Sequence, residues 1–292
     1  MVAPVASPRL LAAYRYVRRR MRAARHTTPS DYDPDAVLET LHSVGRLFGP
    51  RRYFGLEITG LDAIPEPPVM LVMNHSGGTT IPDVWGFGCA WYRHFDARPP
   101  LGRPLHLAAH DMILATEATR RFFSRRGVLR GSRRLAQQVL RDFGRDLMVM
   151  PGGDVETWRP YRDRYQLRWS GRMGYAKIAL RCGVPIVPIG HAGAHETLIV
   201  LDDGRWLAKV AGLKRLRAHI WPVHLSLPWG LAVGPWPHLP VPTTLRYRVG
   251  PALNLGADPI TEPNAAQIAA LDTDVRRAVQ AELDALAAED AG

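Results

Sequence analysis

Val72-Met-Asn-His-Ser-Gly-Gly-Thr-Thr-Ile-Pro-Asp83 is an apolar strand that runs into Asn74-His75 and reaches Asp83 across a loop containing Gly77 and Gly78. A histidine at a strand exit with a carboxylate close behind it points to chemistry. Imidazole is the side chain best suited to taking a proton from an alcohol near neutral pH, provided a carboxylate holds its other nitrogen in the useful tautomer. The same residues also read as a helix start, with Thr80 as N-cap, Pro82 in the first turn and Asp83 as the reciprocal capping carboxylate. The two roles are compatible, because a carboxylate has two oxygens and several lone-pair sites.

Outward from this stretch, strands are expected near 53–59, 69–74, 147–150, 184–189 and 245–250, alternating with helices near 82–94, 131–143 and 171–182. A helix near 35–48 precedes them. Asn264 to Ala288 carries Ile268, Leu271, Val275, Val279, Leu283 and Leu286 at helical spacing, the pattern of a packed amphipathic helix. Such alternation implies an α/β layered domain with a mixed, largely parallel sheet flanked by helices. In sheets of this kind ligand sites gather at strand exits, where His75 and Pro151-Gly152-Gly153 both fall. The expected organisation is an N-terminal basic amphipathic helical segment over residues 1–50 and one domain over 51–292.

The chain has 292 residues, is 46% hydrophobic and carries a net charge of +11, enough length for a sizeable core and a surplus of cations, nearly all arginine. Arg9 to Arg25 alternates basic residues with Leu10, Leu11, Tyr14, Tyr16, Val17 and Met21, a helix suited either to an anionic bilayer, where each basic residue adds about 1 kcal/mol, or to packing on the main domain. A second cluster runs from Arg120 to Arg145. Cys89 and Cys182 have no metal-site or disulfide spacing, which fits a reducing compartment. Arginines interrupt the N-terminus before a secretory h-region forms, so a cytoplasmic, peripherally membrane-associated protein is expected. Ile220 to Pro242 has no formal charge, but Pro222, Pro228, Pro235, Pro237 and Pro240 would break a spanning helix. That segment reads as a Trp-rich loop that touches a membrane interface, lines an apolar channel or packs on the core.

Read together, several blocks resemble the glycerolipid acyltransferase family over roughly residues 53 to 255. Tyr53 to Pro65 resembles its lead-in strand and turn, and Val69-Met-Leu-Val-Met-Asn-His75 its first block. Met150-Pro-Gly-Gly153 stands where the third block, usually Phe-Pro-Glu-Gly, would lie; Gly183-Val-Pro-Ile-Val-Pro-Ile189 matches the fourth; Leu239 to Gly250 resembles the closing strand. Two departures stand out. Seven residues separate His75 from Asp83 where the family usually has four, and Gly152 stands where the family usually has glutamate. Pro-Gly-Gly is similar to the branch containing diacylglycerol-type and phytyl-ester-type acyltransferases.

The resemblance implies that His75 takes the proton of an acceptor hydroxyl, which attacks an acyl thioester directly, while Asp83 orients the ring. It implies no cofactor and no metal, with acyl-CoA or acyl-carrier protein as co-substrate. Backbone amides of Ser76-Gly77-Gly78 and Gly152-Gly153 are the expected oxyanion donors. An arginine of the Gly127-Val-Leu-Arg130 block would bind an acceptor phosphate, Arg130 first, with Arg126 and Arg133 behind it. Asp154 or Glu156 would partly replace the missing glutamate. The acceptor is then a lysophospholipid or acylglycerol phosphate, or alternatively a neutral diacylglycerol or long-chain alcohol.

Other readings explain less. A serine esterase would need a Gly-x-Ser-x-Gly elbow, which the chain lacks. A noncatalytic nucleic-acid- or membrane-binding protein would account for the arginines but not for the ordered series of His75, Pro151-Gly-Gly and Val184-Pro-Ile-Val-Pro, so no nucleic-acid partner is expected. His106 and His110 are four apart, and His191 and His195-Glu196 follow the fourth block, but without His-Glu-x-x-His or a third ligand they read as structural histidines.

Overall fold

A computed structural model describes residues 26–98, 102–210, 220–254 and 256–291. The basic helix expected over 8–25 lies outside the described residues. In chain order the first elements are α1 (Pro34–His42), β1 (Phe54–Thr59), β2 (Met70–Met73), α2 (Pro82–Phe95), β3 (Leu105–Ala109), α3 (Glu117–Ser124) and β4 (Val128–Arg130). There follow α4 (Arg133–Gln137), β5 (Asp146–Val149), α5 (Gly153–Thr157), α6 (Gly174–Cys182), β6 (Ile186–Ala192), β7 (Ile199–Asp202) and α7 (Arg205–Val210). The last are β8 (Val223–Ser226), β9 (Gly230–Val233), β10 (Thr243–Val249) and α8 (Ala265–Ala291).

Seven strands form one sheet in the order β1-β10-β6-β2-β5-β3-β4. From β6 to β4 every pairing is parallel; β10 joins β6 antiparallel and carries β1 parallel to itself. The sheet is therefore mixed and mostly parallel, as the alternation implied. All four residues of β2 are buried, because helices cover both faces. Leu71 and Met73 point into a core with Phe87 and Trp91 of α2, while Met70 and Val72 point the other way, toward Tyr175 and Ile178 of α6 and Val275 and Val279 of α8.

Two of the expected helices need revision. The helix near 35–48 stops at His42 and resumes as a short turn over Val44–Leu47. The helix near 131–143 is α4 followed by a π-helical turn over Gln138–Asp142, which still buries Val139 and Leu140. The short strands β3 and β4 at one end of the sheet lie outside the expected set, since three to five residues beside arginine-rich helices give too little periodicity to read. Residues assigned to the N-terminal segment pack on the main body: Val37 and Phe48 are buried, and Phe48 bridges to Phe54.

Residues 220–242 are not one loop. They supply β8 and β9, which with β7 make a separate three-stranded antiparallel sheet. Among the described residues no helix is long and apolar enough to cross a membrane.

Leu283 of α8 is wholly buried where that helix packs on the sheet. Leu283→Ala should lower the unfolding free energy by about 2–5 kcal/mol through lost transfer and a residual cavity. Urea denaturation is the measurement, with the midpoint falling and the slope unchanged.

Candidate active site

The central strand β2 ends at Met73, and Asn74 extends its contact with β6 through its side chain. Asn74 Nδ2 donates to the His191 carbonyl at 2.8 Å, and the His191 amide donates to Asn74 Oδ1 at 2.7 Å. This clamp fixes the chain at the point where His75 leaves the sheet. The backbone then folds back through Gly77 and Gly78, both at positive φ (94° and 63°). A Cβ on Gly77 would stand 2.6 Å from Pro82 Cδ, so the seven-residue loop closes only with glycine there.

His75 Nδ1 lies 2.6 Å from Asp83 Oδ2. The Ser76 amide donates to the same oxygen at 2.9 Å, and the Val84 amide donates to Oδ1 at 2.9 Å. Asp83 is completely buried, whereas the His75 side chain keeps 12% exposure. With Nδ1–H given to Asp83, the other ring nitrogen is left as an acceptor. Tyr247 Oη donates to the Asp83 carbonyl at 2.8 Å, tying the start of α2 to β10. The expected capping box is absent: Ile81, in the left-handed region with φ 42°, precedes Pro82 at the N-cap, and no side chain caps there. Thr80 turns instead toward His238 Nε2, 3.1 Å away.

Burial acts to lower the His75 pKa, but the charge and hydrogen bond of Asp83, helped by Glu156, outweigh it and leave it above the ordinary 6.5. Burial acts to raise Asp83, and the His75 contact and the Ser76 amide reverse that, holding its carboxyl below the ordinary range. The pair is poised as an imidazole that accepts a proton and a carboxylate that stays ionised.

On β5, the neighbour of β2 in the sheet, Pro151-Gly152-Gly153 leads from the strand into α5. Glu156 is fully buried and accepts three donors: the His75 amide at 3.1 Å, the Arg168 amide at 3.2 Å and Arg159 Nη1 at 3.0 Å. A Cβ on Gly152 would overlap the Glu156 carboxylate, so the Glu156 side chain fills the space that a side chain at 152 would take. Glu156 thus supports the His75 backbone and, being buried, presents no surface to a substrate. Asp154 is also engaged, in an ion pair with Arg172 at 3.0 Å. The amides of Ser76, Gly78 and Gly153 donate to Asp83, Thr157 and Met150. Of the amides expected to hold an oxyanion, those of Gly77 and Gly152 remain.

The arginines fall at the far edge of the sheet, where β4 ends. Arg130 Nε donates to Asp111 Oδ1 at 2.8 Å. Arg126 Nε donates to Thr40 Oγ1 at 2.5 Å, with its guanidinium 3.8 Å from the Phe122 ring centroid. Arg133 is exposed. His106 and His191 are buried and pulled down to about 4 by desolvation, and no cluster of three or more metal-ligating side chains occurs among the described residues.

Beneath α2, beginning at Ile81 and Val84 beside Asp83, an apolar cavity extends toward Leu41, Leu107 and Phe123. Gly88 faces it, and nothing stands within 4 Å of a Cβ built there.

Residues 55–192 match the family model named Acyltransferase, a span holding His75, Asp83, the Pro-Gly-Gly turn and Val184-Pro-Ile-Val-Pro. Over that segment the chain is similar to the Acyltransferase family, in the same region where the sequence blocks resemble it. An uncharacterized protein of Mycobacterium tuberculosis H37Rv is 26% identical over 236 residues, 80% of this chain and 62% of that one. A Gallus gallus protein named as a DGAT1/2-independent enzyme synthesizing storage lipids is 27% identical over 177 residues, 60% of this chain and 49% of that one. The chain thus spans under two thirds of the length of these curated relatives. The crystal structure of a 1-acyl-sn-glycerophosphate acyltransferase from Thermotoga maritima superposes with a TM-score of 0.46 at 16% identity, covering 96% of this chain and 93% of that one.

Sequence reasoning missed the supporting residues. Asn74 had a signal, a polar side chain ending an apolar strand. Arg159 had another, a cation three residues after Glu156 on a helical turn. Tyr247 had none, since its role depends on strand order.

Two outcomes follow. A general-base role for His75 requires its neutral form, so on that reading activity should rise with pH through a midpoint above 6.5, and Asp83→Asn should move that midpoint down while lowering the rate by up to ~10⁴-fold. A pH profile of kcat/KM reads both. Gly152→Ala should displace Glu156, costing about 1–3 kcal/mol by overpacking. Thermal denaturation with a parallel activity assay checks it, and unchanged stability would refute the account of that turn.

Proposed function

We propose that this protein transfers a fatty acyl group from an acyl thioester, carried by coenzyme A or an acyl-carrier protein, to a lipid hydroxyl at a membrane surface. The observation that carries the reading is the 2.6 Å contact between His75 and the buried Asp83 at the exit of the central strand. In the proposed step His75 Nε2 takes the acceptor's hydroxyl proton as its oxygen attacks the thioester carbonyl. The tetrahedral oxyanion is met by the Gly77 and Gly152 amides. Collapse breaks the C–S bond, and the imidazolium returns the proton to the departing thiolate. The acyl chain is assigned to the apolar cavity beside Asp83, whose lining suits a hydrocarbon.

The favoured acceptor is neutral, a diacylglycerol or long-chain alcohol. Arg130, the first candidate for an acceptor phosphate, is already paired with Asp111, and a phosphate would have to displace that carboxylate. The Pro-Gly-Gly turn and the storage-lipid name of the chicken relative support the same choice. A lysophospholipid or acylglycerol phosphate is the second reading, favoured by the position of Arg130 at a strand exit with Arg133 nearby.

The test is transfer from radiolabelled palmitoyl-CoA and palmitoyl-carrier protein to a panel of diacylglycerol, long-chain alcohol, lysophosphatidic acid and other lysophospholipids. His75→Ala should lose about 10²–10⁴-fold in kcat with its fold intact; near wild-type turnover would end the mechanism. Arg130→Ala should leave neutral acceptors unaffected, whereas selective loss with phosphorylated acceptors would establish the second reading. Gly88→Phe, which places a ring in the cavity, should shift donor preference to shorter chains, and an unchanged chain-length profile would remove the cavity from the proposal.

A further inference from the structure

The three-stranded sheet reverses the usual polarity of a surface sheet. An antiparallel sheet with one solvated face normally turns apolar residues in and polar residues out. Here His224 and Ala232 sit opposite each other and face inward, His224 against the Trp158 ring at 5.2 Å. The alternate residues are aliphatic and face outward: Leu225 opposite Leu231, and Val223 opposite Val233. Leu231 is 64% exposed, and Leu225 and Val233 nearly half. Trp229, Trp236, Leu227 and Leu239, in the connections that follow β8 and β9, are each more than half exposed. A continuous exposed apolar face of this kind marks an interaction surface.

We propose that this face seats on a lipid bilayer. The inference rests on the acyltransferase reading, to which it adds the side from which the lipid arrives. Three observations select lipid over a protein partner. Residues 220–242 contain no charged side chain, so nothing in the hairpin resists entry into the headgroup–acyl boundary. Both exposed indoles of the hairpin have their N–H groups bonded within it, Trp229 to the Pro237 carbonyl at 2.6 Å and Trp236 to the Val233 carbonyl at 2.9 Å, which leaves neither with a donor seeking a protein acceptor. Cations border the segment: Arg51 and Arg52 are exposed beside Tyr53, whose hydroxyl donates to the Pro240 carbonyl at 2.7 Å, and Lys209 is exposed on α7 beside Trp206 and Val210. Apolar surface rimmed by cations complements an anionic bilayer.

The hairpin is also bonded to the loop that carries His75. Thr79 Oγ1 donates to the Trp236 carbonyl at 3.3 Å, Thr80 Oγ1 meets His238 Nε2 at 3.1 Å, and a Cβ on Gly78 would stand 2.9 Å from His238 Cε1. Seating the face on a bilayer therefore brings the His75 loop to the lipid, so a hydrophobic acceptor reaches the site without crossing water.

The experiment uses the full chain with phosphatidylcholine vesicles containing phosphatidylglycerol, read by flotation and by quenching of tryptophan fluorescence with brominated lipid. Wild type should float and be quenched. Leu225→Ser/Leu231→Ser/Val233→Ser should lose roughly tenfold or more in partitioning while keeping its circular dichroism spectrum, and Trp229→Phe/Trp236→Phe should lose most of the quenching. His75→Ala should float like wild type, so docking and chemistry fail separately: flotation with no transfer to any acceptor would sink the acyltransferase reading alone. The proposal is overturned if wild type stays in the aqueous fraction, if the triple-serine variant floats equally well, or if sedimentation shows a wild-type dimer that this variant dissolves, which would make the face a contact between two copies.

Discussion

Burying a carboxylate is costly unless it is paired and hydrogen-bonded, and Asp83 is buried without any exposed surface. Its two oxygens accept the His75 ring N–H and the amides of Ser76 and Val84, and its position in the first turn of α2 adds the favourable end of the helix dipole. These contacts demand that the strand exit, the loop and the helix start hold one geometry. The Asn74 clamp to β6, the Tyr247 hydroxyl on the Asp83 carbonyl and the positive-φ glycines each meet part of that demand. The seven-residue spacing, longer than the family's usual one, is absorbed by those glycines without lengthening the contact between imidazole and carboxylate.

The same logic applies at the turn after β5. Glu156 is a second buried carboxylate, balanced by the equally buried Arg159 and by two main-chain amides. A buried pair of this sort contributes little net stability but is costly to break, because removing one partner strands the other's charge. Its effect here is to fix the His75 main chain from below while Asp83 fixes the ring from the side. The glutamate missing at 152 and the glutamate present at 156 are therefore one feature, since the first position must be glycine for the second side chain to fold back over it.

Charge and apolar surface are segregated in a way that suits a lipid substrate. Arg130 and Arg126 at the β4 edge are taken up by Asp111, Thr40 and the Phe122 ring, while an apolar cavity begins at Ile81 and Val84 beside Asp83 and the uncharged hairpin is bonded to the loop that carries His75.

The sequence by itself determined the layered α/β class, the five principal strands, the C-terminal helix, the closeness of His75 and Asp83 and the resemblance to acyltransferases. Each of these rests on local periodicity or on a short run of residues whose chemistry is visible in order. It did not reveal strands too short to carry a period, the aliphatic outer face of the hairpin, or the Asp111 partner that takes up Arg130. Nor did it distinguish Glu156 as a support from Glu156 as a substrate contact. Those were decided by tertiary structure, because burial and pairing depend on which elements the sheet order brings together, and residues 75 and 156, or 80 and 238, meet only once the strands between them have paired.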